Sequence, residues 1–351
     1  MRNTSHSDQL TIDQEKALVW IPRFSCLLSL FGSCVIIHMF RKRRHNDSQY
    51  NPFRIHHRFI LLMSIFDIPF SIAYAVGTTA IPQIEETEVL ENRYGTFGNV
   101  STCKAQGFFI QLGVAVPMYN AALTIFYVCS ICYNIAEEKL SRHHFEEIIH
   151  SIVLTFSLLT SVIGVALDLF HDVHFFCWFG EYPTDCTRDS DIECTSNIHS
   201  GIFRFTFGLL PIILSFIAIV VSMFLINATV YNLNLLTERK QAAIQALSFI
   251  GAYLLTWTLP FTNLILLSTI GRVPFSTNLL QAILMPMQGF FNAMVYIRPF
   301  IATLRDKYPN KSFFWIIRTV VSPSNQNGSG QNIGINETVD TELSPSSTCL
   351  D

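Results

Sequence analysis

Asp67 sits in the middle of RFILLMSIFDIPFSI (58–72), with apolar chain on both sides. A carboxylate in hydrocarbon costs a few kcal/mol on insertion scales, so such a residue faces a bundle interior and has a partner there. A second polar set lies in QGFFNAMVY (288–296), where Gln288, Asn292 and Tyr296 recur every fourth residue. At about 3.6 residues per turn they share one helical face. Gly289 borders that face and permits close helix approach. The chemistry open to these residues is hydrogen bonding and charge compensation, not bond-making. Asp67 is expected to meet Asn292 near the bundle centre, with water or a sodium ion as one form of that contact. Two readings stay open: a switch, or a seam that only holds helices together. In LLTWTLPFTN (254–263), Trp257 and Phe261 flank the bend expected at Pro260 and are candidates for a packing switch, with ordinary core as the alternative.

Other chemistries find little support. His38 and His150 lie in or near apolar stretches, but no paired histidines with ligand spacing accompany an acid, as a zinc site needs. No catalytic set, resident metal or cofactor is called for. A net charge of −3 gives no support for a nucleic-acid partner.

The elements that must position these residues are membrane spans. The 351 residues are 50% hydrophobic and 14% charged, against about 25% charged in soluble domains. Seven segments reach the roughly 20 apolar residues that a crossing needs: about 18–40, 58–81, 104–133, 148–170, 202–230, 243–269 and 277–300. The fold class is therefore all-α, a seven-helix transmembrane bundle (18–300). It follows a polar tail (1–17) and precedes an amphipathic membrane-surface segment (301–320) and a disordered tail (321–351).

Basic residues set the orientation. Arg41, Lys42, Arg43, Arg44 and Arg54 follow span one; Arg298, Arg305, Lys307, Lys311 and Arg318 end or follow span seven. The N-terminus is expected outside and the C-terminus inside. Cys103, Cys177, Cys186 and Cys194 then fall outside, where disulfides persist. Of three possible connectivities, we expect Cys103–Cys177, leaving Cys186 with Cys194. Asn3 and Asn99 are outside candidates for glycosylation, on a motif that also occurs at Asn46 and Asn310 inside.

Seven spans, an outside N-terminus, and cysteines before span three and before span five resemble a G-protein-coupled receptor. LSLFGSCVII (28–37), RFILLMSIFDIPFSI, FCWF (176–179) and QGFFNAMVY are most similar to the cyclic-AMP-receptor-like receptors of protists. Asp67 matches the mid-span-two acid of rhodopsin-like receptors. Asn292 and Tyr296 match the Asn and Tyr of their seventh-span motif, with Ala293 in place of its Pro. Gly32 matches the first-span Gly, with Ser33 where those receptors keep Asn. Trp257 and Pro260 stand one residue too far apart for the sixth-span motif, and VCSICYNI (128–135) lacks the acidic-Arg-Tyr triplet.

The resemblance implies a plasma-membrane receptor for an extracellular small-molecule or peptide ligand, coupled to a heterotrimeric G protein. Ligand is expected among the outer span ends and the acidic 171–200 loop; Arg43, Arg44, Arg239, Lys240 and Arg298 are expected on the G-protein face. A transporter or ligand-gated channel is the alternative, although the two halves show no repeat. A retinal receptor is disfavoured because span seven, at 277–300, has no lysine for a Schiff base.

Overall fold

A computed structural model describes residues 10–46, 55–83, 94–142, 144–173, 175–182, 198–232, 237–270 and 272–321. Among the described residues, seven helical segments are long and apolar enough to cross a membrane: Ile12–Lys42, Ile55–Ala80, Val100–Ile131, Phe145–Ala166, Ser200–Tyr231, Arg239–Leu267 and Phe275–Lys307. We refer to their two ends as the disulfide end and the basic end.

Span one is α1 (Ile12–Asn46). It starts well before the apolar run because Thr11 and Gln14 form a reciprocal cap: the Thr11 N–H donates to Gln14 Oε1 (2.9 Å), and the Gln14 N–H to Thr11 Oγ1 (3.3 Å). Span two is α2 (Ile55–Val76).

Span three is two helices, α3 (Val100–Leu112) and α4 (Ala115–Ile131). Pro117 has no N–H for the Gly113 carbonyl, so the Val116 N–H takes that carbonyl at 3.0 Å and tightens the turn. The Phe70 ring packs where Gly113 has no side chain. A short α5 (Glu137–Arg142) leads to span four, α6 (Phe145–Ala166).

Span five comprises α7 (Ile198–Phe203), a π-helical turn over Arg204–Leu209, and α8 (Leu210–Asn232). Span six is α9 (Thr237–Ile270). Span seven breaks at Pro286, in a 3-10 turn over Met285–Met287, between α10 (Phe275–Leu284) and α11 (Gln288–Lys307). α11 thus continues past the expected end of span seven. A separate helix follows, α12 (Phe313–Val321), which buries Ile316 and Val320.

Two of the proline-freed carbonyls are taken by glutamines from other spans. Pro211 leaves the Phe207 carbonyl without its helical donor, and Gln111 Nε2 donates to it at 2.8 Å. Pro299 does the same for the Val295 carbonyl, which accepts from Gln245 Nε2 at 2.8 Å. Each proline therefore becomes a cross-link between spans rather than a weak point.

Acids of α5 and of the first turn of α6 have a structural task. Glu137 accepts the Ile55 N–H at the start of α2 (2.5 Å). The nearly buried Glu146 holds Arg58 at 2.8 Å and His150 at 3.1 Å.

At the disulfide end, β1 (Phe170–Asp172) and β2 (Cys177–Phe179) form an antiparallel hairpin, with Phe170 opposite Phe179 and Asp172 opposite Cys177. The Phe170 ring fills space that Gly107 and Gly164 leave open. Cys103 and Cys177 are disulfide-bonded, at a sequence separation of 74. Cys186 and Cys194 lie outside the described residues. Replacing Cys103 with serine releases a long loop and is expected to cost about 2–5 kcal/mol. A fall in thermal midpoint that the reduced native protein reproduces checks this.

Candidate functional site

The site sits where α1, α2 and α11 meet. Ser29 and Ser33 are one turn apart on α1 and flank Gly32. A Cβ at Gly32 would lie 2.6 Å from the Gly289 carbonyl oxygen, so α1 and α11 touch backbone to backbone. That approach carries both serines to Asp67. Its Oδ2 accepts from Ser33 Oγ (2.7 Å), Ser29 Oγ (3.0 Å) and, at 3.5 Å, Ser71 Oγ. All four residues are buried, Asp67 to 1% exposure.

The break at Pro286 completes the setting. It makes Gln288 and Gly289 the first residues of α11. The Gly289 N–H donates to Ser29 Oγ at 2.8 Å. A Cβ on Gly289 would collide with Asp67 Oδ2 and both serine hydroxyls, so the carboxylate lies against the α11 N-terminus. The positive end of a helix stabilises an anion there.

Asp67 takes its direct hydrogen bonds from these serines, and Asn292 takes its own within α11. Gln288 reaches Asn292 first: its Nε2 donates to Asn292 Oδ1 at 3.0 Å, and Thr256 Oγ1 of α9 donates to Gln288 Oε1. Asn292 belongs to a bridge between spans six and seven, and Asp67 to one between spans one, two and seven. Gln288 and Gly289 are consecutive, so the two bridges meet at the broken end of α11. Tyr296 lies two turns further on, buried, edge-on to His57 with ring centroids 5.8 Å apart. Ser29, Ser33 and Thr256 escaped sequence reasoning as site residues; the readable signal was a pair of serines four apart around a glycine.

Trp257 stacks on Tyr253 (5.8 Å between centroids), and Phe261 packs on Phe216 of α8 at 4.3 Å, on either side of Pro260. At the basic end, Arg239 Nη2 donates to Asn134 Oδ1. Asn134 has φ of 51°, a left-handed conformation that asparagine tolerates. Spans three and six are thereby joined beyond the end of α4. Arg298 Nη1 lies 3.4 Å from Ser248 Oγ, and Lys240 is exposed. The side chains of Arg43 and Arg44, and all of Asn3, lie outside the described residues. Asn99 is exposed, and its side-chain oxygen caps α3 by accepting the Thr102 N–H at 3.0 Å. Among the described residues no group of three or more His, Cys, Asp or Glu is placed to hold a metal ion.

No family model matches the sequence, and no curated protein matches it. The crystal structure of squid rhodopsin does match the fold, with a TM-score of 0.53 over 98% of this chain and 94% of that one, at 17% identity. The fold is that of rhodopsin. The likeness extends over all seven spans, so the polar bridges just described stand in a rhodopsin-like bundle.

Proposed function

We propose that the chain is a G-protein-coupled receptor of the plasma membrane, N-terminus outside, that carries an extracellular small-molecule or peptide signal to a heterotrimeric G protein. The rhodopsin fold around a buried acid at the broken end of span seven carries this reading. The four motifs quoted above support the cyclic-AMP-receptor-like subgroup. Ligand binding at the disulfide end favours one of two helix packings. The change passes through the bridge from Asp67 to the α11 N-terminus and on through Gln288, Asn292 and Thr256 to span six. Trp257 and Phe261 repack around Pro260, and the basic end opens a groove lined by Arg239, Lys240, Arg298, Arg43 and Arg44.

In the resting form the Arg239–Asn134 contact holds spans three and six together where the chain lacks an acidic-Arg-Tyr triplet. Asn134→Gly removes this hydrogen bond, keeps the left-handed backbone and leaves Arg239 in the groove. About 1 kcal/mol of resting-state preference is then lost, and basal signalling rises roughly fivefold. Second-messenger output in cells expressing a panel of G proteins, with and without candidate ligands that include cyclic nucleotides, checks this. Silence across the panel from protein delivered to the surface contradicts the receptor reading. The interrupted spans three, five and seven are also a feature of transporters; a substrate flux or current without added G protein supports that second reading.

A further inference from the structure

Trp178, at the centre of the hairpin strand β2, is inserted among three spans. Its indole N–H donates to Gln111 Oε1 at 2.9 Å. Gln111, fully buried in α3, spends both amide hydrogens elsewhere: on Thr160 Oγ1 of span four (3.0 Å) and on the Phe207 carbonyl of span five (2.8 Å). Thr160 Oγ1 in turn donates to the Phe156 carbonyl at 2.8 Å. The polarity of the chain is therefore set by Pro211. Its missing N–H leaves Phe207 in need of a donor, Gln111 supplies that donor, and the remaining Gln111 oxygen demands a donor from the hairpin side.

The walls suit a flat ring. Gly208, in the π-helical turn, has no side chain where the indole lies, and any Cβ there would overlap it. Such turns occur frequently at functional sites. Arg204 stands over the indole face at 5.8 Å. The hairpin backbone is pinned one residue away: Cys177 is bonded to Cys103, and its N–H donates to Gln106 Oε1 at 2.8 Å. The ring can leave by side-chain rotation while the strand stays.

We propose that Trp178 is a tethered occupant of a ligand seat between spans three, four and five, and that the extracellular ligand places there a planar aromatic group bearing one N–H or O–H donor for Gln111. Because the seat's polar groups come from three spans, its occupant sets how those spans meet at the disulfide end. This deepens the receptor reading, yet its test needs no G protein.

The purified full-length chain carrying Trp178→Ala is titrated with indole and with 1-methylindole, which has the ring but not the donor. Indole is expected to raise the thermal midpoint saturably, at a concentration at least about tenfold lower than 1-methylindole. Adding Gln111→Leu is expected to erase that preference. In the unaltered chain, excess indole displaces the tryptophan, and exchange protection of the Trp178 indole N–H falls, whereas 1-methylindole leaves it unchanged. Equal responses to the two probes, or a preference that survives Gln111→Leu, overturn the proposal. So does unchanged protection of the Trp178 indole N–H with indole. If Trp178→Ala yields no folded protein, Trp178→Phe keeps one aromatic ring and loses the pyrrole ring with its donor. Trp178→Phe and Gln111→Leu are then expected to be non-additive in thermal midpoint, and additivity overturns the proposal.

Discussion

Alanine at Gly289 is expected to leave little folded protein, the largest effect of any single methyl group in the bundle. The added carbon has no room. It meets Asp67 Oδ2 and the hydroxyls of Ser33 and Ser29 inside normal contact distance. The helices must separate, and separation breaks the Gly289–Ser29 bond and draws the α1 serines away from Asp67. Overpacking alone costs about 1–3 kcal/mol. An anion losing its donors in a membrane interior adds a further few kcal/mol. The sum is on the order of 5 kcal/mol, comparable with the total stability of many domains. Surface delivery and thermal midpoint of Gly289→Ala check this; a midpoint within a few degrees of the native chain contradicts the packing described.

The second large effect separates the charge of Asp67 from its place in the packing. Asp67→Leu removes the acceptor of Ser29, Ser33 and Ser71 together. Each stranded hydroxyl costs about 1–3 kcal/mol, reduced where a serine turns back to its own helix. A loss of about 3 kcal/mol is expected. Asp67→Asn keeps the shape and one accepting oxygen, and it removes the anion from the end of α11. Stability is expected to hold or rise, since replacing a buried charge by a neutral group of similar volume relieves desolvation. Ligand-driven signalling is expected to fall about tenfold or more, because the acid no longer distinguishes the two packings. Thermal midpoints and ligand dose–response curves of both variants, measured together, check this. Native signalling from Asp67→Asn contradicts a switch at this residue and leaves it a structural seam.

Much of the architecture was legible because a bilayer demands length and apolarity, and both are written locally. The start of α1 was less so. Its first turn carries Asp13 and Glu15, and only the Thr11–Gln14 cap announces a helix there. The partner of Asp67 was not legible at all. Which helix comes close enough is decided by the mutual approach of Gly32 and Gly289, residues far apart in the chain. Prolines 211 and 299 advertise freed carbonyls in the sequence, but nothing local says that Gln111 and Gln245 will take them. Nor does anything local say that Glu137 of α5 and Glu146 of α6 will clamp the start of α2.

The central claim, that this bundle activates a G protein, is tested most directly by nucleotide exchange with purified components. The full-length chain and its Asn134→Gly form are placed in lipid nanodiscs and mixed in turn with each of a panel of heterotrimers. The expected result is a several-fold faster exchange on at least one heterotrimer, faster again with Asn134→Gly. Rates equal to those of empty nanodiscs, for every heterotrimer and both forms, contradict it.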